Sequence, residues 1–490
     1  MRGLLRGEGT LDLGSAYELH PQAAIRAEAF GGLAYHYGNR RLALVKDPAL
    51  AQLVRDLAHH RSLGEALAAG PVAEERQEAV LGALGSLLRS GMVRRKEPEA
   101  DPPALPGGEG APPPARAASR SLAGRLSGGL SAPICLTWEL TYACNLACIH
   151  CLSSSGRRDP NELRTDQARA LIDELAALSV FYVNIGGGEP TVRADFYDLV
   201  TYAVERGVGV KFSTNGSTLT RKRATQLAAM AYVDVQVSLD GATPATNDAV
   251  RGPGSFATAR RAMDHLAEAG FGPFKLSVVV TRHNIDELDR LEALATAYGA
   301  QLRLTRLRPS GRGAASWERL HPTPEQRRHL YAWLRDRPHV LTGDSFFHLS
   351  ALGPALPGLN LCGAGRVVCL VDPLGDVYAC PFTLHPEFRA GSVLDPGGFT
   401  AVWRSSELFA GLRRPSSPGA CSSCGSYDAC RGGCLAAKFF TGLPLDGPDP
   451  ECALGHGEEA LARVPAGRAP SPGAGHSRPA AVPVPSPARR

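Results

Sequence analysis

Short apolar runs alternate with helical-period stretches through most of the chain. Runs at 133–140, 180–185, 209–213, 233–238, 274–280 and 302–306 are each bounded by turn residues and predict strands. Between the first two, Leu171, Ile172, Leu175 and Leu178 recur on one helical face. Further helices are predicted at 195–206, stopped by Gly207, and at 221–231, 256–269 and 286–298. Repeated strand–helix units imply a parallel sheet with right-handed crossovers, hence an α/β fold. Nearer the start, strands are predicted at 24–29, 33–37 and 41–45, with Tyr37-Gly38-Asn39-Arg40 as hairpin chemistry between the last two. Helices follow at 49–59, 62–68 and 74–90.

Composition divides the 490 residues further. Residues 98–130 are rich in Pro, Gly and Ala and read as a linker between a small unit at 10–97 and the main body. As a flexible chain that linker spans roughly 30 Å, a tether for the front unit. The body separates into 131–345 and a cysteine-rich 346–456, and 457–490 reads as a disordered tail. A hydrophobic share of 44% is enough for real cores. A formal charge of +5, with no interleaving of basic and aromatic residues, gives no nucleic-acid surface. No run of 18 apolar residues occurs, and the first residues lack a secretory apolar segment. Twelve cysteines in such a chain point to metal or redox chemistry in a reducing cytoplasm rather than to disulfides.

The densest chemistry is Cys144-x3-Cys148-x2-Cys151, just past the first body strand. Three thiolates at this spacing suit three irons of a [4Fe–4S] cube, leaving the fourth iron open to a small molecule. The alternative is a zinc knuckle with His150 as fourth ligand. The second strand runs into Gly186-Gly187-Gly188-Glu189-Pro190, "FSTNG" with Ser213 and Asn215 ends the third, and "VSLDG" with Ser238 and Asp240 ends the fourth, Arg251 following. Downstream lie Cys362, Cys369 and Cys380, then Cys421-x2-Cys424-x5-Cys430-x3-Cys434, then Cys452.

The first cysteine triplet resembles that of the radical S-adenosylmethionine (SAM) enzymes. The resemblance implies a partial (β/α)6 barrel with its site at the carboxyl ends of the strands. It makes Cys144, Cys148 and Cys151 the ligands of a SAM-binding [4Fe–4S] cluster. Gly186, Gly187, Gly188 and Glu189 would approach the SAM amino group, with Ser213 and Asn215 beside it, and Ser238 and Arg251 would hold its carboxylate and ribose side. The later cysteines resemble the SPASM extension of peptide maturases, which carries two auxiliary Fe–S clusters. That implies one cluster on Cys421, Cys424, Cys430 and Cys452 and another on Cys362, Cys380 and Cys434. Cys369 is either a further ligand or a buried strand thiol, and Cys135 reads as core.

The front unit resembles a winged-helix-like RiPP recognition element, which binds the leader of a ribosomally made peptide by strand addition. A DNA-binding winged helix is disfavoured because Glu74, Glu75 and Glu78 crowd its third helix. Segments such as "FYVNIGGGEPTVR", "VLTGDSFFHL" and "CRGGCLAAKFFTGLPLDGPDPEC" are similar to the mycofactocin maturase family, and the front to the chaperone that binds its precursor. This implies an oxidoreductase or lyase with a precursor peptide ending in Val-Tyr and a reducing system as partners. The tyrosine would be oxidatively decarboxylated and then joined to valine by a C–C bond. Arg306 or Arg308 is a candidate for the peptide carboxylate, and Asp344 and His348 for a phenol contact or proton relay. The rival readings are a thioether-forming peptide maturase, a sulfatase maturase and a non-catalytic metal-binding regulator.

Overall fold

The computed structural model describes residues 11–96, 129–343, 345–358, 360–414 and 419–465. The linker at 98–130, except its last two residues, and the candidate Asp344 lie outside the described residues.

In the front unit β2 (Ala23–Glu28), β3 (Gly31–His36) and β4 (Leu42–Val45) form an antiparallel sheet, with β3 central and buried throughout. The sequence pattern missed β1 (Tyr17–Leu19) and β5 (Val93–Arg95), which pair with each other. Three residues are too few to display a period of two. The helices span Pro48–Asp56, Leu63–Ala69 and Gln77–Arg89. The first two start where expected because Asp47 and Ser62 accept the free amides of Ala49 and Glu65.

The body strands are β6 (Cys135–Thr141), β7 (Tyr182–Gly187), β8 (Gly209–Thr214), β9 (Val233–Ser238), β10 (Lys275–Val280) and β11 (Gln301–Arg306), all parallel. Side chains alternate across a strand. One set, including Leu136, Trp138, Val183, Phe212, Val237 and Leu304, packs under the helices as the main core. The other set is polar and lines the inside: Asn184 accepts from Gln236 at 3.1 Å, and Arg303 donates to Ser277 at 3.3 Å.

The sheet does not stop at six strands. Its order is β11-β10-β9-β8-β7-β6-β12-β13-β14, where β12 (Val368–Val371) runs parallel to β6 and β13 (Asp376–Tyr378) and β14 (Arg389–Ser392) continue antiparallel. The cysteine-rich region is thus stitched onto the barrel's first strand by backbone hydrogen bonds. Nor does the tail begin at 457. His456–Leu461 is helical, started by Gly455 at φ +86° and tied to the barrel by an ion pair between Glu458 and Arg327. Reading 457 onward by composition overlooked this tertiary partner.

The front unit packs against the amino-terminal ends of the barrel strands. Tyr35 stacks on Phe181 and meets Tyr182, with ring centroids 5.5 and 5.3 Å apart. The buried Arg26 donates to the carbonyls of Ala132 and Pro133 at 2.7 and 2.8 Å. Arg40 pairs with Asp234 at 3.0 Å, beside the Asp234–Lys275 pair, and Lys211 donates to the Tyr35 hydroxyl at 3.1 Å. A tether alone would leave these groups apart; here the unit is seated on the end of the barrel opposite the motif-bearing loops.

Candidate functional site

At the carboxyl end of β6 the chain turns into the Cys144–Cys151 loop, whose three thiols are partly exposed. Burial pushes the Cys144 thiol up to about 11, with the charges of Glu189, Cys148 and Cys151 adding to the push. Three thiols whose ionisation each opposes the others' are a donor set that a cationic centre would relieve.

His150 is engaged elsewhere. Its Nε2 lies 3.0 Å from the Asp240 carboxylate, which Arg251 Nε meets at 2.6 Å. Asp240 is fully buried; burial pushes its pKa up, but Arg251 and His150 outweigh that and hold it well below the usual carboxylate range. A zinc knuckle would need His150 and the three thiols to converge on one ion, and among the described residues no three His, Cys, Asp or Glu do so. Arg251 meets Asp240 through Nε, and its backbone carbonyl lies 4.0 Å from Cys148 Sγ. Arg312, which the sequence did not single out, donates to the carbonyls of Cys148 and Ser155 at 2.9 and 2.8 Å. Gly311 packs so closely on Cys151 and Leu152 that a side chain there would strike their carbonyls. The loop is thus clamped by Asp240 after β9 and by the turn after β11.

The glycine loop after β7 lies along the same segment. The amides of Gly188 and Glu189 donate to the carbonyls of Thr141 and Ala143, both at 2.8 Å. A Cβ at Gly188 would collide with the Ala143 carbonyl, and one at Gly187, with φ +111°, would meet that of Thr141. A Cβ at Gly186 would meet no protein atom within 4 Å, so that position borders open space. Glu189, 1% exposed, turns away from any ligand: it accepts from Thr191 Oγ1 at 2.5 Å, Thr214 Oγ1 at 2.8 Å and Asn215 N at 2.6 Å. It works as a strut between β7 and β8. Asn215 Nδ2 reaches Asn145 in the cysteine loop at 2.9 Å. Ser213 and Ser238 are half-buried near the ends of β8 and β9 on the interior face.

The later cysteines divide into two groups. Cys421, Cys424, Cys430 and Cys452 line one cavity, with His348 and Tyr427 at its wall. Cys362, Cys380 and Cys434 are electrostatic neighbours: burial, then the charges of the other two, push Cys380 up to about 12. The structure does not bring Cys369 to them. It is fully buried in β12 beside β6, its thiol neighbour is Cys135, and burial pushes it well up. Of the two readings of Cys369, the strand thiol is the one this packing matches. All twelve cysteines are free. Among the described residues no three His, Cys, Asp or Glu side chains converge as ligands of a single metal ion do. A four-iron cube needs thiols spread around a cavity, the arrangement seen for Cys421, Cys424, Cys430 and Cys452, so that donor set fits a cluster.

Arg306 and Arg308 part company. Arg306 is locked by Asp449, at 2.5 and 2.9 Å, and by Glu451, all buried. Asp449 also accepts from the Cys434 amide at 2.7 Å. The pair thus ties the end of β11 to the second cysteine group and leaves Arg306 no hydrogen-bonding edge for substrate. His348 is buried against Arg306, and burial followed by that charge holds it well below its usual pKa, hence neutral. Arg308 has no such partner. Inside the barrel Glu139 is 3% exposed with one carboxylate oxygen unpartnered, and burial, then Asp372, push it up to about 8.

Comparison with known proteins gives three family matches: the radical SAM superfamily at 138–295, the peptide chaperone MftB family at 16–94 and an iron–sulfur cluster-binding domain at 362–425. The mycofactocin maturase MftC of Mycolicibacterium smegmatis is 66% identical over 353 residues, covering 71% of this chain and 90% of that protein. Its namesake in Mycobacterium tuberculosis is 65% identical over 362 residues, 73% and 92% of the two. Among solved structures, Streptococcus suis SuiB bound to S-adenosylmethionine shares the fold with a TM-score of 0.64 at 17% identity, covering 89% of this chain and 99% of that one. No helix among the described residues is long and apolar enough to cross a membrane.

Proposed function

We propose the reaction from one premise: this chain belongs to the mycofactocin maturase family of radical SAM enzymes. It is a radical SAM enzyme with Fe–S clusters that matures the mycofactocin precursor peptide. The observation that carries this reading beyond kinship is the union in one folded body of an MftB-like unit with a clamped three-cysteine loop.

Cys144, Cys148 and Cys151 would hold the cluster that binds SAM, and Gly186, bordering open space, would let the cofactor's backbone-facing side come close. The bound cluster and SAM supply a 5′-deoxyadenosyl radical, which takes hydrogen from a substrate carbon. The remaining residues position and shield. Asp240, Arg251, His150 and Arg312 keep the cysteine loop in one conformation, and Glu189 keeps the glycine loop against it. The auxiliary clusters would number two, on Cys421, Cys424, Cys430 and Cys452 and on Cys362, Cys380 and Cys434. The Arg306–Asp449 pair supports the latter group from the barrel side.

The substrate is a precursor ending in Val-Tyr, captured by the front unit. Its C-terminal tyrosine would give a β-hydrogen to the radical and release its carboxylate as CO2, the Cα–carboxylate bond breaking as the Cα–Cβ double bond forms, with one electron left over for which the auxiliary clusters would be the acceptor. A p-hydroxystyryl enamide remains. A second hydrogen abstraction, from valine, would leave a carbon radical that adds to the enamide: the C–C bond forms as the double bond opens, and the benzylic radical left behind takes one electron from the reducing system and one proton from solvent, giving a lactam. A reducing system in the cytoplasm would supply the electron for each SAM cleavage.

The test is an anaerobic reaction of the reconstituted protein with SAM, reductant and such a precursor, read by mass spectrometry. Loss of CO2 and two hydrogens, absent in Cys148→Ala, is the expected outcome. Formation of 5′-deoxyadenosine with an unchanged peptide mass would refute the substrate while keeping the radical SAM assignment.

A further inference from the structure

Arg308 is a buried cation with nothing anionic to pair with among the described residues. It is 7% exposed, and its Nε has no hydrogen-bond partner. Its one hydrogen bond to protein in the described region runs from NH1 to the carbonyl of Arg306, at 3.0 Å. The guanidinium lies flat over the Phe382 ring, 3.6 Å from the centroid. Other arginines of this barrel end have an anionic or carbonyl partner: Arg306 has two carboxylates, Arg251 lies within ion-pair distance of Asp240, and Arg312 donates to two carbonyls. Leaving a guanidinium buried and short of partners is costly unless a ligand completes it.

Its position says which ligand. Three residues on, Gly311 abuts the carbonyls of Cys151 and Leu152. On the other side, the Phe382 amide donates to Cys380 Sγ at 3.4 Å. Arg308 therefore stands between the first cysteine loop and the second cysteine group. A second cation compounds the field, since Arg303 and Arg308 repel each other inside the barrel. A flat, always-charged fork backed by an aromatic ring suits a planar carboxylate.

We propose that Arg308 binds the C-terminal carboxylate of the precursor peptide and so positions its last residue for hydrogen abstraction. This rests on the substrate reading above. It has a consequence for the order of the two steps. The carboxylate that anchors the tyrosine leaves as CO2 in the first step, so the shortened terminus is released from Arg308. The peptide can then shift by one residue and present valine for the second abstraction.

The experiment is a binding cycle on the full-length protein, anaerobic and without reductant so that no turnover intervenes. A fluorescent precursor ending in a free acid is compared with the same peptide ending in tyrosinamide, against wild type, Arg308→Gln and Arg308→Lys. In wild type the acid should bind roughly 10- to 100-fold tighter than the amide, the range of a hydrogen bond to a charged group. That ratio should fall to near one in Arg308→Gln and be partly kept in Arg308→Lys. SAM affinity, measured in parallel, should not change. An acid-to-amide ratio that survives in Arg308→Gln overturns the proposal. So does a fall in SAM affinity with the ratio intact, because the guanidinium would then serve the cofactor's carboxylate. Should Arg308→Gln fail to fold, a reduced ratio with wild-type SAM affinity in Arg308→Lys supports the proposal, and a wild-type ratio near one, or a ratio unchanged by Arg308→Lys, overturns it. The substrate reading fails separately, if wild type leaves the acid precursor's mass unchanged under reductant.

Discussion

Arg26 offers a measurable handle on how the front unit is held. Its guanidinium donates at 2.7 and 2.8 Å to the carbonyls of Ala132 and Pro133, where the barrel segment begins, and it stacks 5.1 Å from the Phe181 ring centroid. The side chain is 5% exposed, as is expected of a group sealed in an interface. Each hydrogen bond from a charged donor contributes about 1.5–3 kcal/mol, so Arg26→Ala removes about 3–6 kcal/mol from docking. Water entering the vacated space offsets part of that. We expect the lower end, about a 100-fold rise in the dissociation constant. A protease site placed within 98–130 would cut the covalent link. After cleavage, the front fragment should stay with the wild-type barrel on sizing chromatography at micromolar concentration and leave Arg26→Ala. Fluorescence anisotropy of a labelled front fragment would give the two constants. Separation of the wild-type fragments as readily as the variant's, or a shift under about threefold, would refute the seated-unit reasoning and restore the simple tether.

Two further outcomes follow from the burial pattern. Glu139 has a folded pKa of about 8, above the ordinary glutamate value, so its contribution to stability is fully present below the unfolded value and lost as pH rises through the folded one. The thermal midpoint of the wild type should therefore fall relative to that of Glu139→Gln between about pH 5 and 8.5; a difference between the two that does not change with pH would refute the assignment. Cys369→Ala should retain the full iron content after reconstitution, at a modest cost in stability, whereas Cys380→Ala should lose iron and the matching absorbance. Equal iron loss in both would return Cys369 to the ligands.

Much of this protein was legible from local pattern. The six barrel strands lie within two residues of their predicted bounds, because a strand buried on one face writes its period of two into five or six residues. The cysteine spacings, the glycine run and the family they resemble were equally local. Residues whose roles depend on a distant partner were harder to read. The contact between Arg251 and Asp240 after β9 gave no sequence signal; Arg306 and Arg308 read as equivalent, although only Arg306 meets carboxylates, 143 and 145 residues away in sequence. Arg312 gave no signal, since an arginine donating to backbone carbonyls has no side-chain partner to reveal it.

The sequence by itself therefore determined the order of the six barrel strands, the α/β class, the thiol inventory and the family. These follow from hydrophobic periods and residue spacings that act over one or two turns of chain. Tertiary structure alone decided which thiols share a cavity, that Cys369 sits in the core, that β12–β14 extend the barrel sheet and that the front unit covers the barrel's amino-terminal end. Each of those is a contact between residues far apart in the chain, where burial leaves a charge or a thiol to be satisfied by whatever the fold brings beside it.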